Sequence, residues 1–372
     1  MEEIKVTIVT VCYNSSKTIE QTIKSVLGQS YKNIEYIIID GGSNDGTVEI
    51  IKRYGKSIAY WVSESDRGIY DAMNKGIDKA TGDIIAFINS DDWYAEGAIA
   101  AMVQSFLRWE DADIICGSWH MVHPCGLQTL VRHGNLDNIC FGMICGHPAT
   151  FVKTVHMKQH HFDEGYRIAA DYAFLLEMYL QGKKFYFIDD GIAYFRLGGL
   201  SGHPWKTYFE TRKIALNLTR SRVSAKTYQD IRKCFSERRA LPLFRYIRQK
   251  IEKCSEKKRK LVNHLRCKKF VLYGAGEMGR DVLDALKDWN LTVISFWDSD
   301  SSKDGTKLNG VPILYPRRYT LLGDDVIILI ATVVGGSEIS ENLKSLGYKH
   351  GKDFYDKEKW VGWLAKEWLL IP

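Results

Sequence analysis

Two adjacent carboxylates, Asp91 and Asp92, close the apolar run Asp83-Ile-Ile-Ala-Phe-Ile-Asn-Ser, and a third, Asp40, closes Ile37-Ile-Ile. Carboxylate oxygens are the ligands of hard divalent cations, and strand ends in α/β domains are where phosphate-bearing molecules bind. Asp40 leads into Gly41-Gly-Ser-Asn-Asp45-Gly-Thr47, where the glycines allow close chain approach and Asp45-Gly46 favours a turn. Ser43, Asn44 and Asp45 also suit a self-bonded turn and helix cap. Another acid, Asp66, heads Asp66-Arg67-Gly68-Ile69-Tyr70-Asp71-Ala72-Met73-Asn74, and Asp171 stands in Ala170-Asp171-Tyr172 at a predicted helix start.

The elements that must position these groups are strands alternating with helices. Residues 4–12, 35–40, 58–63 and 83–89 read as strands, and roughly 18–28, 47–54 and 71–80 as helices between them. This spacing predicts a mainly parallel sheet covered on both faces, with ligands at its carboxyl edge. A helix over 96–109 and a strand over 113–119 follow, then a stretch without period from 120 to 160, expected as loops or short hairpins. Helix returns over 170–181, a strand region over 184–196, and helices from about 205 to 265.

The segments TIVTVCYN, IIIDGGSNDGT, SESDRGIYDAMNKGI, GDIIAFINSDD, AADYAFLLEMYLQG and FRLGGLS occur in that order over about the first 220 residues. In this order they resemble the family 2 glycosyltransferases of GT-A fold, especially bacterial enzymes of cell-surface polysaccharide synthesis such as O-antigen or capsule. The resemblance implies an inverting transfer from a nucleotide-sugar donor, UDP-linked by analogy, to a lipid-linked or growing oligosaccharide acceptor, with Mn²⁺ or Mg²⁺ as cofactor. It maps the family's metal-binding element onto Ser90-Asp91-Asp92, with Asp92 for direct metal contact and Asp91 for the ribose or the metal shell. The chemistry agrees, since a departing diphosphate concentrates negative charge that a cation can stabilise.

By the same resemblance Asp40 would meet the nucleotide base, Thr10, Tyr13 and Asn14 would line the nucleoside pocket, and Asp66 would contact the nucleotide. Arg67 could pair with phosphate or sugar, while Asn74 is either a contact or a structural amide. Asp171 is the candidate general base, the lone carboxylate where the family carries a Glu-Asp or similar pair. His147, in Cys145-Gly-His-Pro-Ala-Thr-Phe151, would lie beside the acceptor. Arg196 and the tail ending at His203 would close over the donor, His203 completing the metal shell or touching the diphosphate.

A second α/β pattern begins near residue 267. Gly274-Ala-Gly276-Glu-Met-Gly279 follows a strand and opens a helix, and Asp298 ends the next strand, an arrangement able to cradle a diphosphate and meet a ribose. It resembles a small Rossmann-like nucleotide-binding domain, whose ligand would be a nucleotide, a nucleotide sugar or NAD. The expected division is therefore a GT-A domain over 1–225, a basic helical linker over 226–266 and a Rossmann-like domain over 267–372.

Composition narrows the remaining classes. With 45% hydrophobic and 26% charged residues in 372, the chain is globular and long enough for two domains. Eight cysteines show no CxxC pair, favouring a reduced intracellular setting. The N-terminus lacks signal-peptide character and no apolar run spans a bilayer, so a cytoplasmic protein is expected, any membrane association being peripheral on the inner face. Residues 232–269 hold 15 Lys/Arg against 3 Glu within a net charge of +6, a stretch suited either to anionic lipid or to a solvated linker. Without aromatic interleaving or a groove-reading motif it does not read as a nucleic-acid site. A non-catalytic nucleotide-sugar-binding scaffold is the alternative to a transferase, and self-association is compatible with either; an oxidoreductase has no hydride-transfer partner in the sequence.

Overall fold

The structure, a computed structural model, describes residues 3–123, 126–197, 204–238, 240–253, 255–315, 325–333, 336–361 and 364. The chain divides into two compact units, Met1–Gly202 with Phe209–Ile231, and His203–Tyr208 with Arg232–Pro372.

The first unit runs β1 (Val6–Cys12), α1 (Ile19–Leu27), β2 (Ile34–Asp40), α2 (Thr47–Tyr54), β3 (Tyr60–Ser63), α3 (Ile69–Lys79), β4 (Ile84–Phe87), β5 (Trp93–Tyr94), α4 (Ala98–Arg108), β6 (Ile114–Val122), β7 (Gln128–Val131), β8 (Thr150–Lys153), α5 (Thr154–Gln159), α6 (Ala170–Leu180) and β9 (Phe185–Arg196), followed by α7 (Pro204–Thr219). Its sheet has the order β3-β2-β1-β4-β8-β6-β9-β5, with β7 paired to β6. The central strand β1, Val-Thr-Ile-Val-Thr-Val-Cys, is buried at every residue, as a strand covered on both faces must be.

Register explains how distant residues converge. β1, β2 and β3 are parallel and in step, with Cys12 opposite Asp40 and Asp40 opposite Ser63, so the loops after all three leave from one edge. β4 lies parallel to β1 and ends at Phe87, sending residues 88–92 to the same edge. β8 enters antiparallel between β4 and β6, with Phe151 opposite Ala86. Its start therefore lies at the edge where β4 ends, which carries His147 there. β5 pairs with the end of β9, Trp93 opposite Tyr194, and brings Arg196 to the acidic pair.

At the opposite end of the sheet Glu35 fastens the strands together. Its carboxylate accepts from Lys5 Nζ (2.8 Å), Thr7 Oγ1 (2.7 Å), Thr81 N–H (2.7 Å) and Thr81 Oγ1 (2.5 Å). Burial alone would raise this carboxyl, but the hydrogen bonds from Lys5, Thr81 and Thr7 prevail and hold it at about 2. Because the folded value is depressed, the stability it confers is present above the ordinary carboxyl range and is lost as pH falls toward 2. Glu35→Gln should cost on the order of 2 kcal/mol at pH 7 in denaturant unfolding, with the gap to the parent shrinking in acid.

The second unit includes α9 (Ala240–Glu252) and α10 (Ser255–Leu265), reached through α8 (Ala225–Arg238). Then come β10 (Lys269–Tyr273), α11 (Glu277–Asp288), β11 (Thr292–Trp297), β12 (Lys307–Leu308), β13 (Val311–Leu314), β14 (Val326–Ile330), α12 (Gly336–Ser345) and β15 (Phe354–Tyr355). Its sheet, β12-β13-β11-β10-β14-β15, is parallel except at β12. The stretch expected as a linker supplies Ala240, Leu241, Phe244, Ile247, Ile251 and Leu261 to this unit's core. Its charge therefore lies on helices whose apolar sides are already committed. Among the described residues no helix is long and apolar enough to cross a membrane.

Candidate active site

The carboxyl edge of the first sheet opens into a cleft of about 810 Å³. Its walls include Tyr13, Asn14, Asp45, Asp66, Asp91, His147, Asp171 and Arg196, eight residues singled out from the sequence, together with Lys17, Tyr70 and Arg167, which were not. Tyr13 is 63% exposed at the end of β1 and offers a ring face to the cleft. Asn14, at φ 49°, donates its N–H to Ser43 Oγ and accepts the Asn44 N–H, tying the β1 and β2 loops together. Asp45 accepts from Thr47 and from the Ser16 N–H, and these bonds, Thr47's foremost, hold it well below the usual carboxylate range.

Asp66 accepts the Gly68 N–H and sits so close to Gly41 that a Cβ there would lie 2.4 Å from its Oδ2. Any larger residue at 41 would displace this carboxylate.

Four expected contacts lie behind or beside the cleft. Thr10 is fully buried and pairs with Tyr36 Oη at 3.1 Å. Asp40, also fully buried, spends its oxygens on the N–H groups of Gly42 and Ser43, the hydroxyls of Ser43 and Ser63 and the Cys12 thiol. Burial would raise its pKa, but the Ser43 and Ser63 bonds leave it lowered. In this structure it organises the loop behind the cleft wall. Arg67 turns outward to Asp71 (2.8 Å) and Glu164 (3.0 Å). Asn74 is a structural amide, exchanging two hydrogen bonds of 2.9 Å with the Phe162 backbone.

The acidic pair is asymmetric. Asp91 lines the cleft, whereas Asp92 is 1% exposed and is not part of its wall. Asp92 Oδ1 accepts the Arg196 N–H at 2.9 Å, while Oδ2 is buried without a partner. Burial raises both carboxyls, and Asp91 raises Asp92 further. Arg196, expected on the donor, instead braces this turn: Nε donates to the Asp91 carbonyl, Nη2 to Gln21, and the guanidinium lies 5.1 Å from the Trp93 ring. His203 lies outside the described residues.

Across the cleft, Asp171 occupies the first turn of α6. Its Oδ1 accepts the Tyr172 N–H at 2.9 Å and the Tyr70 hydroxyl at 3.3 Å, and His147 Nδ1 stands 3.5 Å from Oδ2. His147 stacks on Phe87 at 5.7 Å, with Nε2 buried and unpartnered. Burial lowers the imidazole's pKa against the opposing pull of Asp171, which favours a neutral ring. A neutral ring has one N–H, and a carboxylate neighbour calls for it on Nδ1. The loop before α6 is held by Glu210 of α7, whose carboxylate accepts the N–H groups of Arg167, Ile168 and Ala169 at 2.9, 2.6 and 2.8 Å.

The geometry thus combines an exposed aromatic, an acidic turn braced by Arg196 and an oriented carboxylate in one cleft. The model for glycosyl transferase family 2 matches residues 7–196, just over half of the chain. The chain belongs to this family. An uncharacterized glycosyltransferase of Mycobacterium tuberculosis is 31% identical over 176 residues, covering 46% of this chain and 67% of the relative. The glycosyltransferase GlyA of Streptococcus pneumoniae is 28% identical over 119 residues, 31% of this chain but only 17% of the relative. A PGL/p-HBAD biosynthesis glycosyltransferase of Mycobacterium bovis is 28% identical over 169 residues, 43% of this chain and 64% of its own length. Among solved structures, residues 1–349 of S. aureus TarS in complex with UDP superpose with a TM-score of 0.51 at 20% identity, covering 63% of this chain and 71% of that one. At that identity the likeness speaks for the fold, and this glycosyltransferase has a GT-A-like α/β domain followed by a separate, smaller α/β domain. A second family model, C2185-like N-terminal, matches residues 266–353 of the glycosyltransferase.

In that smaller domain Gly274, Gly276 and Asp298 line a cavity of about 640 Å³ at the carboxyl edge of the sheet. Gly279 lies beneath it in α11, where a Cβ would come 1.9 Å from the Gly274 carbonyl oxygen. Asp298 accepts the Ala275 and Asp300 N–H groups, and Lys303 Nζ stands 3.1 Å away. Its hydrogen-bonding capacity is largely taken up by the loop it anchors.

Proposed function

We propose that the chain is an inverting, cation-assisted glycosyltransferase that moves a sugar from a nucleoside-diphosphate donor, UDP-linked by preference, to a hydroxyl of a lipid-linked or growing surface glycan. The observation that carries this reading is the placement of Asp91 and Asp171 on one cleft, with Tyr13 at its outer end. Tyr13 supplies a face on which a base stacks, and Lys17 and Arg167 supply positive charge to the phosphates.

The residues present fit a divalent cation. Asp92 Oδ2 is a buried acceptor with no donor, and both carboxyls are pushed up by burial, as expected of acids whose counter-charge comes from a ligand. Among the described residues no group of three His, Cys, Asp or Glu gathers around a point. A cation held by one or two carboxylates, with phosphate oxygens and waters completing its shell, matches Mg²⁺ or Mn²⁺ practice. Asp91 and Asp92 would hold it, and it would neutralise the departing diphosphate.

Asp171 takes the proton from the acceptor hydroxyl as that oxygen bonds to the anomeric carbon and the bond to the diphosphate breaks on the opposite face. Tyr70 and His147 keep its carboxylate aimed. The smaller domain would take a second nucleotide, nucleotide sugar or NAD at Gly274–Gly279, where Gly276 leaves open space at the α11 N-terminus.

Calorimetric titration of UDP, GDP and dTDP, with and without Mn²⁺, tests the donor reading. UDP binding that strengthens by roughly tenfold or more with Mn²⁺, and is lost in Asp91→Asn, is the expected result. Binding unaffected by either change would move the donor away from this cleft. A scaffold would bind the donor and release no UDP with any acceptor.

A further inference from the structure

The irregular segment between α5 and α6, residues 160–169, carries two cleft residues, Arg167 and Ile168, and delivers Asp171 just beyond its end. With no ladder of its own to hold it, it is fastened from both sides. α3 takes the first half: His161 pairs with Asp78 at 2.8 Å, the Phe162 backbone with Asn74, and Glu164 with Arg67. α7 takes the second half. Lys213 Nζ lies 5.5 Å from the centre of the Tyr166 ring, and Glu210 accepts the three successive N–H groups of residues 167–169.

Two features set Glu210 apart from an ordinary helix cap. A cap is normally the side chain of the boundary residue itself, but α6 begins after Ala169, which can supply none. The acceptor comes instead from 41 to 43 residues along the chain, so it fixes where the segment lies against α7 and not only where the helix starts. Second, the two oxygens divide the work. Oε1 takes the Arg167 N–H alone, and Oε2 takes those of Ile168 and Ala169. One oxygen therefore holds the backbone of a cation in the cleft wall. The other holds the threshold of α6, whose opening bond runs from the Ala173 N–H to the Ala169 carbonyl.

We infer that Glu210 is a positioning residue of the transferase, its Oε1 setting Arg167 against the donor phosphates and its Oε2 setting α6, and through it Asp171, against the acceptor hydroxyl. This rests on the roles proposed above for Arg167 and Asp171. It makes α7, which lies beyond the matched residues 7–196, a working part of the enzyme. Glutamine at 210 separates the two tasks. It keeps the length of Glu but has one oxygen and one NH₂. The oxygen retains most bonds in the place of Oε2, which leaves the NH₂ facing the Arg167 N–H, donor against donor.

The test uses the full chain, with Arg222→Ala as control, since it frees Glu177 farther along α6 and removes no bond from residues 167–169. The control should lower the melting temperature, with UDP affinity and kcat per folded molecule within about twofold of the parent. Glu210→Gln should weaken UDP binding with Mn²⁺, read by calorimetry, by roughly three- to tenfold and leave kcat within about twofold, because Ile168 and Ala169 keep their acceptor. Glu210→Ala bares all three amides, and kcat should then fall as well, by about tenfold or more. UDP release from UDP-glucose and UDP-N-acetylglucosamine supplies kcat, while the calorimetric arm needs no turnover. Circular dichroism establishes that each variant is folded; should Glu210→Ala not fold, Glu210→Gln and the control decide. Glu210 variants that behave like Arg222→Ala, less stable but otherwise unchanged, would overturn the positioning role. Arg167→Ala tells the two levels apart: if it weakens UDP while Glu210→Gln does not, the role of Glu210 fails alone, and if neither weakens UDP, the placement of the phosphates at Arg167 fails and takes this inference with it.

Discussion

Asp171→Asn should lower the rate of sugar transfer by roughly 10²–10⁴-fold, the range typical of removing a positioned general base. Asn keeps the size of the side chain and can still accept from the Tyr172 N–H and the Tyr70 hydroxyl, the bonds that orient the native carboxylate. The loss should therefore fall on kcat, with UDP affinity changed by no more than about twofold under the proposed function, since Tyr13, Lys17 and Asp91 are left intact. His147→Phe separates orientation from proton removal. It preserves a ring against Phe87 and removes the Nδ1 contact at 3.5 Å, so a smaller fall in kcat is expected. A fall in Asp171→Asn explained wholly by weaker UDP binding would remove Asp171 from the proton-transfer role.

Asp92→Asn should separate stability from activity. In the folded chain burial first, and the neighbouring Asp91 second, push this carboxyl well above its ordinary range, so the folded state holds the proton to higher pH than the unfolded state does. Stability is thereby lost as pH rises through the ordinary carboxyl range toward the raised one. An amide does not titrate, and its oxygen can still accept the Arg196 N–H. Without cation, the variant should match the parent in acid and melt higher near neutral pH. Transfer, by contrast, should fall by roughly 10²–10³-fold under the proposed function, because a carboxylate that would hold the cation has gone. Thermal melts across pH, with and without Mn²⁺, check both halves. If the parent were the more stable protein near neutral pH without cation, the burial argument would be wrong.

The elements of the first hundred residues were legible because buried parallel strands spell themselves as unbroken β-branched runs such as Val6–Cys12 and Ile34–Asp40. β8 was not. It is a four-residue insertion between β4 and β6 whose partners lie more than thirty residues away, and no local period marks such a strand. The hairpin of β12 and β13 could have been read, since Asn309 and Gly310 both have the positive φ its turn demands.

At the site Asp91 was legible as an acid just past a strand end and Asp171 as an acid at a helix start. The role of Asn74 was not, because Phe162, which claims it, lies about ninety residues along the chain, whereas Arg67's i,i+4 pairing with Asp71 could have been read. Lys17 and Arg167 carry no signal beyond being cations in irregular segments. The pairing of His147 with Asp171 depends on β8 starting at the edge where β4 ends, a fact of sheet order and not of spacing.

The grip of Glu210 on the N–H groups of residues 167–169 has a consequence for where the enzyme ends. The match to the glycosyl transferase family 2 model stops at Arg196, yet a polypeptide cut there would leave three amides bare at the threshold of α6 and would also release Glu177 from Arg222. The heritable signature and the mechanical part are thus of different lengths. A lineage exchanging C-terminal modules by recombination could not splice at the end of the signature without loosening the start of α6, and the first seam that spares both fastenings lies beyond residue 222.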